Sequence, residues 1–282
     1  MRRTIATETT VEGVGLHLGV PVTLTFRPAA SGEGLRFRRT DLPGEPVIPA
    51  LVEHVVLTER RTQLGEDPAA VHTVEHVLAA VVGLGIDDLE IALDGPEPPI
   101  ADGSALPFVA ALRCAGVVEH DGHVDYLTLT ESVCIRDGAS TYEAHPADAL
   151  ELAVSIEFPH PLIGRQEGRY LPTEAVFERE LAAARTFGFI REVEALRAMG
   201  LIQGASTSNA VVLDERGVVE TTLRWPDEFV RHKALDCVGD LALAGARVRA
   251  RIVADRPSHR GTALLVRAIK ESSRKETQRV GH

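Results

Sequence analysis

Residues 20–27 alternate in polarity, with Val22, Leu24 and Phe26 on one side and Thr23 and Thr25 on the other. A period of two marks a strand with one buried face. Ahead of it, Gly13, Gly15 and Gly19 punctuate a turn-rich approach that carries His17. Arg38-Arg39-Thr40-Asp41-Leu42-Pro43-Gly44 reads as a loop before a short apolar segment at Val47 and Ile48. The period then lengthens. A helix is expected from Thr73, as N-cap, through Val77, Leu78 and Val81 to a stop at Gly83. A buried strand follows at 89–93. A second helix follows Asp102-Gly103-Ser104, with Phe108, Ala111 and Leu112 on one face and Gly116 as its stop.

The second half repeats that order. Residues 126–135 and 150–158 alternate as strands, and Thr173 caps a helix through Phe177 and Leu181. A short helix is expected over 192–199, ended by Gly200, and an apolar strand over 210–213. The longest helical pattern runs over 227–244 and closes on Gly245. A strand over 248–254, a helix over 262–271 and a frayed polar tail over 272–282 complete the chain. Strands followed by helices, twice, predict an α+β fold of two domains, 1–122 and 123–282.

Composition narrows the function classes. The chain has 282 residues, 30 Lys and Arg against 41 Asp and Glu, and a net charge of −11. That balance opposes a broad nucleic-acid-binding face, which needs clustered cations. A local cationic pocket for a small anionic substrate is still compatible with it. No stretch approaches the roughly 20 apolar residues of a membrane span. This leaves room for transient contact with a membrane surface. Met1-Arg2-Arg3 leads into polar sequence without the apolar core of a signal peptide. Cys114, Cys134 and Cys237 are odd in number and irregular in spacing, which opposes a disulfide framework or a cysteine zinc site. A cytoplasmic enzyme or binding protein is expected.

The chemistry is sought among the eleven histidines. His120, His123, His145 and His282 fall in polar loops or the tail and read as solvated; His54 and His160 read as structural. His232, Asp236 and Asp240 recur at i, i+4, i+8 on one helix face, opposite Leu235, Val238, Leu241 and Ala242. An imidazole and a carboxylate one turn apart can share a zinc ion, or can form a solvated ion pair. His72-Thr73-Val74-Glu75-His76 lies at a strand-to-helix junction. His76, His232 and Asp236 would supply three ligands, with Glu75 as a tethered base. The same segment also fits H-x-x-E-H, in which His72 and His76 would both be ligands. His259 falls between Arg256 and Arg260 in a loop before the last helix, a setting for acid–base work or for surface punctuation. A non-catalytic two-domain binding protein remains the competing class.

Taken together, these segments resemble the zinc-dependent UDP-3-O-acyl-N-acetylglucosamine deacetylases of lipid A biosynthesis. The likeness rests on Gly13-Val14-Gly15-Leu16-His17, Phe37-Arg38-Arg39-Thr40-Asp41-Leu42, Thr73-Val74-Glu75-His76 and Asp94-Gly95-Pro96-Glu97-Pro98-Pro99-Ile100. It continues in Ala184-Arg185-Thr186-Phe187-Gly188-Phe189, Asn209-Ala210-Val211-Val212-Leu213-Asp214 and Asp227-Glu228-Phe229-Val230-Arg231-His232-Lys233-Ala234-Leu235-Asp236. The resemblance implies two similar α+β domains, each a β-sheet packed with paired helices and carrying a small insert, one around 39–50 and a βαβ unit over 190–213 that walls an apolar acyl passage. It implies zinc on His76, His232 and Asp236, Glu75 as general base and His259 as general acid oriented by Asp240. It further implies Thr186 at the oxyanion, and Lys233 and Phe187 against a UDP-linked acylated amino sugar. Two segments depart from the family pattern. Pro257-Ser258-His259-Arg260-Gly261-Thr262 keeps the histidine in a changed setting, and Thr58-Glu59-Arg60-Arg61-Thr62 carries added charge.

Overall fold

The computed structural model describes residues 1–56 and 60–277. Two sheets with the same internal plan dominate it. In the first, the strand order is Thr9–Val14, Pro21–Pro28, Leu89–Leu93, Leu35–Arg39, Val47–Pro49. In the second, it is Val133–Asp137, Ser140–Pro146, Arg247–Asp255, Glu151–Phe158, Gly164–Tyr170. In both, two hairpins flank a central strand that comes last in sequence. That strand is antiparallel to the first hairpin and parallel to the second. The fold is therefore α+β with two similar halves, although the sequence shows no strong repeat.

Six helical segments are used below: α1 (Glu75–Gly83), α2 (Leu106–Ala115), α3 (Glu174–Val176), α4 (Ile190–Ala198), α5 (Glu228–Leu241) and α6 (His259–Thr277). α1 and α5 precede the central strand of their halves, while α2 and α6 follow it. Burying Val22, Leu24 and Phe26 seats the first sheet on the core. α1 and α5 cross closely because Gly239 has no side chain. A Cβ there would overlap the backbone carbonyl oxygen of Glu75. That contact faces the start of α1 toward the C-terminal half of α5.

Several expectations are corrected. Arg38 and Arg39 belong to a strand, and Val47–Pro49 pairs with it as a sheet edge, so 39–50 is not a separate insert. The small separate sheet is instead Val55–Val56, Gln63–Leu64, Val71–His72. The second insert is a βαβ unit in which Phe187–Phe189 and Val211–Leu213 run parallel around α4. Residues 126–135 are two strands, because Tyr126–Thr128 pairs parallel with the central strand while Val133–Asp137 turns back into a hairpin. α6 starts at His259, exceeds α5 in length and continues through Thr277; residues 278–282, with His282, lie outside the described residues. His120 is not a free surface imidazole, since its Nε2 lies 2.9 Å from Asp88, a carboxylate with no exposure that also accepts two bonds from Arg2.

Candidate metal centre and active site

The strand Val71–His72 enters α1 through Thr73, whose φ of 54° turns the chain sharply. The Thr73 hydroxyl does not cap the helix. It donates to Oε1 of buried Glu97 at 2.7 Å, and the same carboxylate accepts the backbone N–H groups of His17 and Leu18. Glu75 and His76 thus fall in the first turn of α1, 2% and 5% exposed.

From α5, His232 and Asp236 meet them. Nε2 of His232 lies 3.4 Å and Nε2 of His76 3.6 Å from Oδ1 of Asp236. Among the described residues, this trio brings three ligand-type atoms within 4.8 Å of one another, and His72 is not part of it. Nδ1 of His232 donates to the Ala184 carbonyl at 3.1 Å, which leaves the Nε2 lone pair facing Asp236. Burial pushes His232 down to about 3, so the imidazole is neutral. Burial alone would raise the Asp236 carboxyl, yet its neighbours, the Lys233 ammonium bonded to Oδ2 among them, outweigh burial and hold it well below the usual carboxylate range. Oδ1 of Asp236 is buried with no hydrogen-bond partner. An ionised oxygen facing a neutral imidazole lone pair in a dry site is costly unless a cation lies between them. The donor set therefore fits a divalent metal.

Around this trio stand groups able to move protons. Glu75 is raised above its ordinary value by burial. Its Oε2 accepts the Thr62 backbone N–H at 3.1 Å, and its Oε1 lies 3.6 Å from Nε2 of His259. His259 opens α6, with Ser258 Oγ accepting the Gly261 N–H as an N-cap. The Tyr142 hydroxyl grips Ser258 at both its carbonyl and its N–H, and Gly261 packs on the Tyr142 ring. These contacts seat the histidine within its altered sequence. Its Nδ1 lies 2.9 Å from Oδ2 of Asp240. Burial opposes protonation of His259, but Asp240 and Glu75 outweigh it and raise the imidazole to about 9. The flanking arginines do not cancel that field. Arg256 pairs with Asp255 at the surface and Arg260 leans toward Asp137.

The polar face of α5 is thus buried rather than solvated. Lys233 is bonded to Oδ2 of Asp236 at 2.8 Å, so it is no exposed helix lysine. Phe187 presents its ring edge-on to His232 at 6.3 Å, and Thr186 lies half-buried beside it. A buried ion pair fixes their segment: the Arg185 guanidinium and backbone N–H both donate to Glu228 in the first turn of α5. Glu75, His76, His232, Lys233, Asp236 and His259, with Thr186 and Phe187, line one cavity of about 750 Å³, whose apolar wall includes Phe158, Phe189, Val193, Leu196 and Ile202. His17 also lines it, with Nε2 unpartnered and burial pushing its imidazole down to about 4. Of the charged stretch 58–62, Thr58 and Glu59 lie outside the described residues. Arg60 reaches Glu192 at 3.0 Å, and Thr62 is built into the site. Sequence reasoning assigned no role to Thr62, Tyr142, Glu97 or His17.

A buried pair of imidazoles and a carboxylate, with a carboxylate and an imidazole poised beside them, defines the class of metal-dependent hydrolases. The family model described as LpxC, UDP-3-O-acyl N-acetylglycosamine deacetylase, matches residues 2–271, and the chain belongs to that family. It is 45% identical over 269 residues to the UDP-3-O-acyl-N-acetylglucosamine deacetylase of Myxococcus xanthus, covering 95% of this chain and 86% of that one. It is 46% identical to the enzyme of that name from Thermosynechococcus vestitus, covering 96% and 94%. A bifunctional LpxC/FabZ enzyme of Chlorobaculum tepidum is 38% identical, and the match spans 64% of its length.

Proposed function

We propose that this protein hydrolyses the N-acetyl group of a UDP-3-O-acyl-N-acetylglucosamine, with zinc held by His76, His232 and Asp236, giving acetate and the free 2-amino sugar. The observation that carries the reading is the orphaned Asp236 oxygen between two Nε2 atoms, with Glu75 and His259 beside it. Separations of 3.4 and 3.6 Å also bring both Nε2 atoms close enough to Oδ1 for one zinc ion to be held by all three residues. The chemistry a bound zinc supplies is Lewis acidity, which polarises the amide carbonyl and makes water a usable nucleophile near neutral pH. Glu75 takes the proton of the attacking water. Thr186 donates to the developing oxyanion. His259, kept protonated by Asp240, gives a proton to the departing amine, which leaves poorly as an anion. Lys233 places positive charge near the nucleotide diphosphate, Phe187 packs against the substrate, and the apolar wall contributed by α4 takes the acyl chain. Two domains, 1–122 and 123–282, each supply part of this site. The division is supported by sheets that each draw their strands from one side of it. Three unpaired cysteines, with Cys237 buried, support a reducing, cytoplasmic setting.

The test is product analysis. Purified protein incubated with the UDP-linked acylated sugar should release one acetate per free amine formed, and metal-containing protein that releases none overturns the reading. A second expectation concerns pH. The acid must be protonated for turnover, so kcat/KM should fall on the alkaline side as His259 loses its proton. Asp240 raises that imidazole, so Asp240→Asn should move the alkaline limb to lower pH while metal content stays constant. An unmoved limb in Asp240→Asn means another group titrates there.

A further inference from the structure

We propose that Thr62 is a positioning residue that locks the proton-accepting and proton-donating sides of the site to each other. The inference rests on the function proposed above. Thr62 is 3% exposed and makes two directed contacts. Its backbone N–H donates to Oε2 of Glu75 at 3.1 Å, and its hydroxyl donates to Oδ1 of Asp240 at 2.6 Å. The other Asp240 oxygen takes Nδ1 of His259 at 2.9 Å. The Thr62 carbonyl in turn accepts the N–H of Val74, the residue before α1. One side chain and its backbone therefore connect the start of α1, the last turn of α5 and the first residue of α6.

The chemistry gives this connection a purpose. A buried carboxylate with a donor on one oxygen only can rotate about its Cβ–Cγ bond, and the imidazole it holds then loses a fixed direction. A donor on each oxygen removes that freedom. The Thr62 hydroxyl supplies the second donor to Asp240. The same residue holds Oε2 of Glu75, leaving Oε1 turned toward Nε2 of His259. Proton transfer falls steeply with misdirection, so this orientation bears on turnover more than on substrate affinity.

The experiment compares Thr62→Val and Thr62→Ser in the whole, metal-containing protein. Thr62→Val keeps shape and the backbone contact but loses the hydroxyl. It should lower kcat roughly ten- to a hundredfold, the cost of one hydrogen bond to a charged group, with KM and metal content near wild type. Thr62→Ser should restore most of the rate. In an Asp240→Asn background, Thr62→Val should add less than about a twofold loss, because its partner is already altered. A readout apart from activity is the downfield proton resonance of the His259 Nδ1–H, identified by its absence in His259→Gln. It should shift or broaden in Thr62→Val and persist in Thr62→Ser. Wild-type kcat and an unchanged resonance in Thr62→Val overturn the proposal, as does a full additional loss in the Asp240→Asn background. If Thr62→Val fails to fold, Thr62→Ala is read by the same cycle. A wild-type protein that releases no acetate overturns the proposed function alone, since the resonance still tests the lock.

Discussion

Glu75→Gln is expected to retain metal and thermal stability while losing roughly 10²- to 10⁴-fold in kcat/KM, the usual contribution of a general base. By transition-state arithmetic that is about 2.7–5.5 kcal/mol of activation free energy. Glu75 lies outside the trio that would hold the metal, and the amide is nearly isosteric with the carboxylate. Its oxygen can still accept the Thr62 N–H, and the oxygen that the NH₂ replaces lies 3.6 Å from Nε2 of His259, beyond hydrogen-bond distance. What the amide cannot do is take a proton from water. Burial already raises the Glu75 carboxyl, so replacing it with a neutral group removes a desolvation cost and should not lower the melting temperature. Metal analysis, a thermal melt and steady-state kinetics on one preparation check all three statements. Near-normal turnover by folded, metal-containing Glu75→Gln would remove Glu75 from the reaction.

Elements whose sequence period matches their burial were legible. Val22, Leu24 and Phe26 alternate because one sheet face meets the core, and Leu89–Leu93 reads as a buried strand because all five residues are buried, with Glu90 held by Arg36 and Arg38. The Pro257-Ser258-His259-Arg260-Gly261 segment was less legible. Pro257 and Gly261 suggested a loop, but Ser258 capping makes His259 the first helical residue. Gly164–Tyr170 was missed because it is a polar edge strand, defined by its antiparallel partner rather than by its own periodicity. Thr73 reads locally as a cap, yet its hydroxyl goes to Glu97, where a buried carboxylate needs donors. The metal trio could be read from i, i+4 spacing and family likeness, whereas Thr62 had no local signal. Its two carboxylate partners lie 13 and 178 residues away. Periodicity reports which face is buried and carries little about which distant group buries it.

Alanine at His76, His232 or Asp236 is expected to abolish stoichiometric zinc binding, and hydrolysis with it, whereas His72→Ala should keep both. The two ligand sets share His76 and differ in whether His72 or the His232–Asp236 pair stands with it. In H-x-x-E-H the metal would sit between His72 and His76, but His72 belongs to the small sheet and stands outside the trio. Its imidazole is buried, but it is not among the groups that meet at Asp236. Losing a group that merely supports a ligand costs roughly 10–100-fold in metal affinity, and losing a ligand should cost more. Asp236→Ala carries a further penalty, because it strips Lys233 of the carboxylate that holds its ammonium. His232→Ala frees the Ala184 carbonyl as well as the ligand position. Each variant would be purified identically and its zinc measured per chain, before and after dialysis against a chelator. Metal loss in His72→Ala as deep as in His76→Ala would move the site to the inverted zinc-peptidase geometry. Zinc retained in Asp236→Ala would separate the metal from α5 and dismantle the trio.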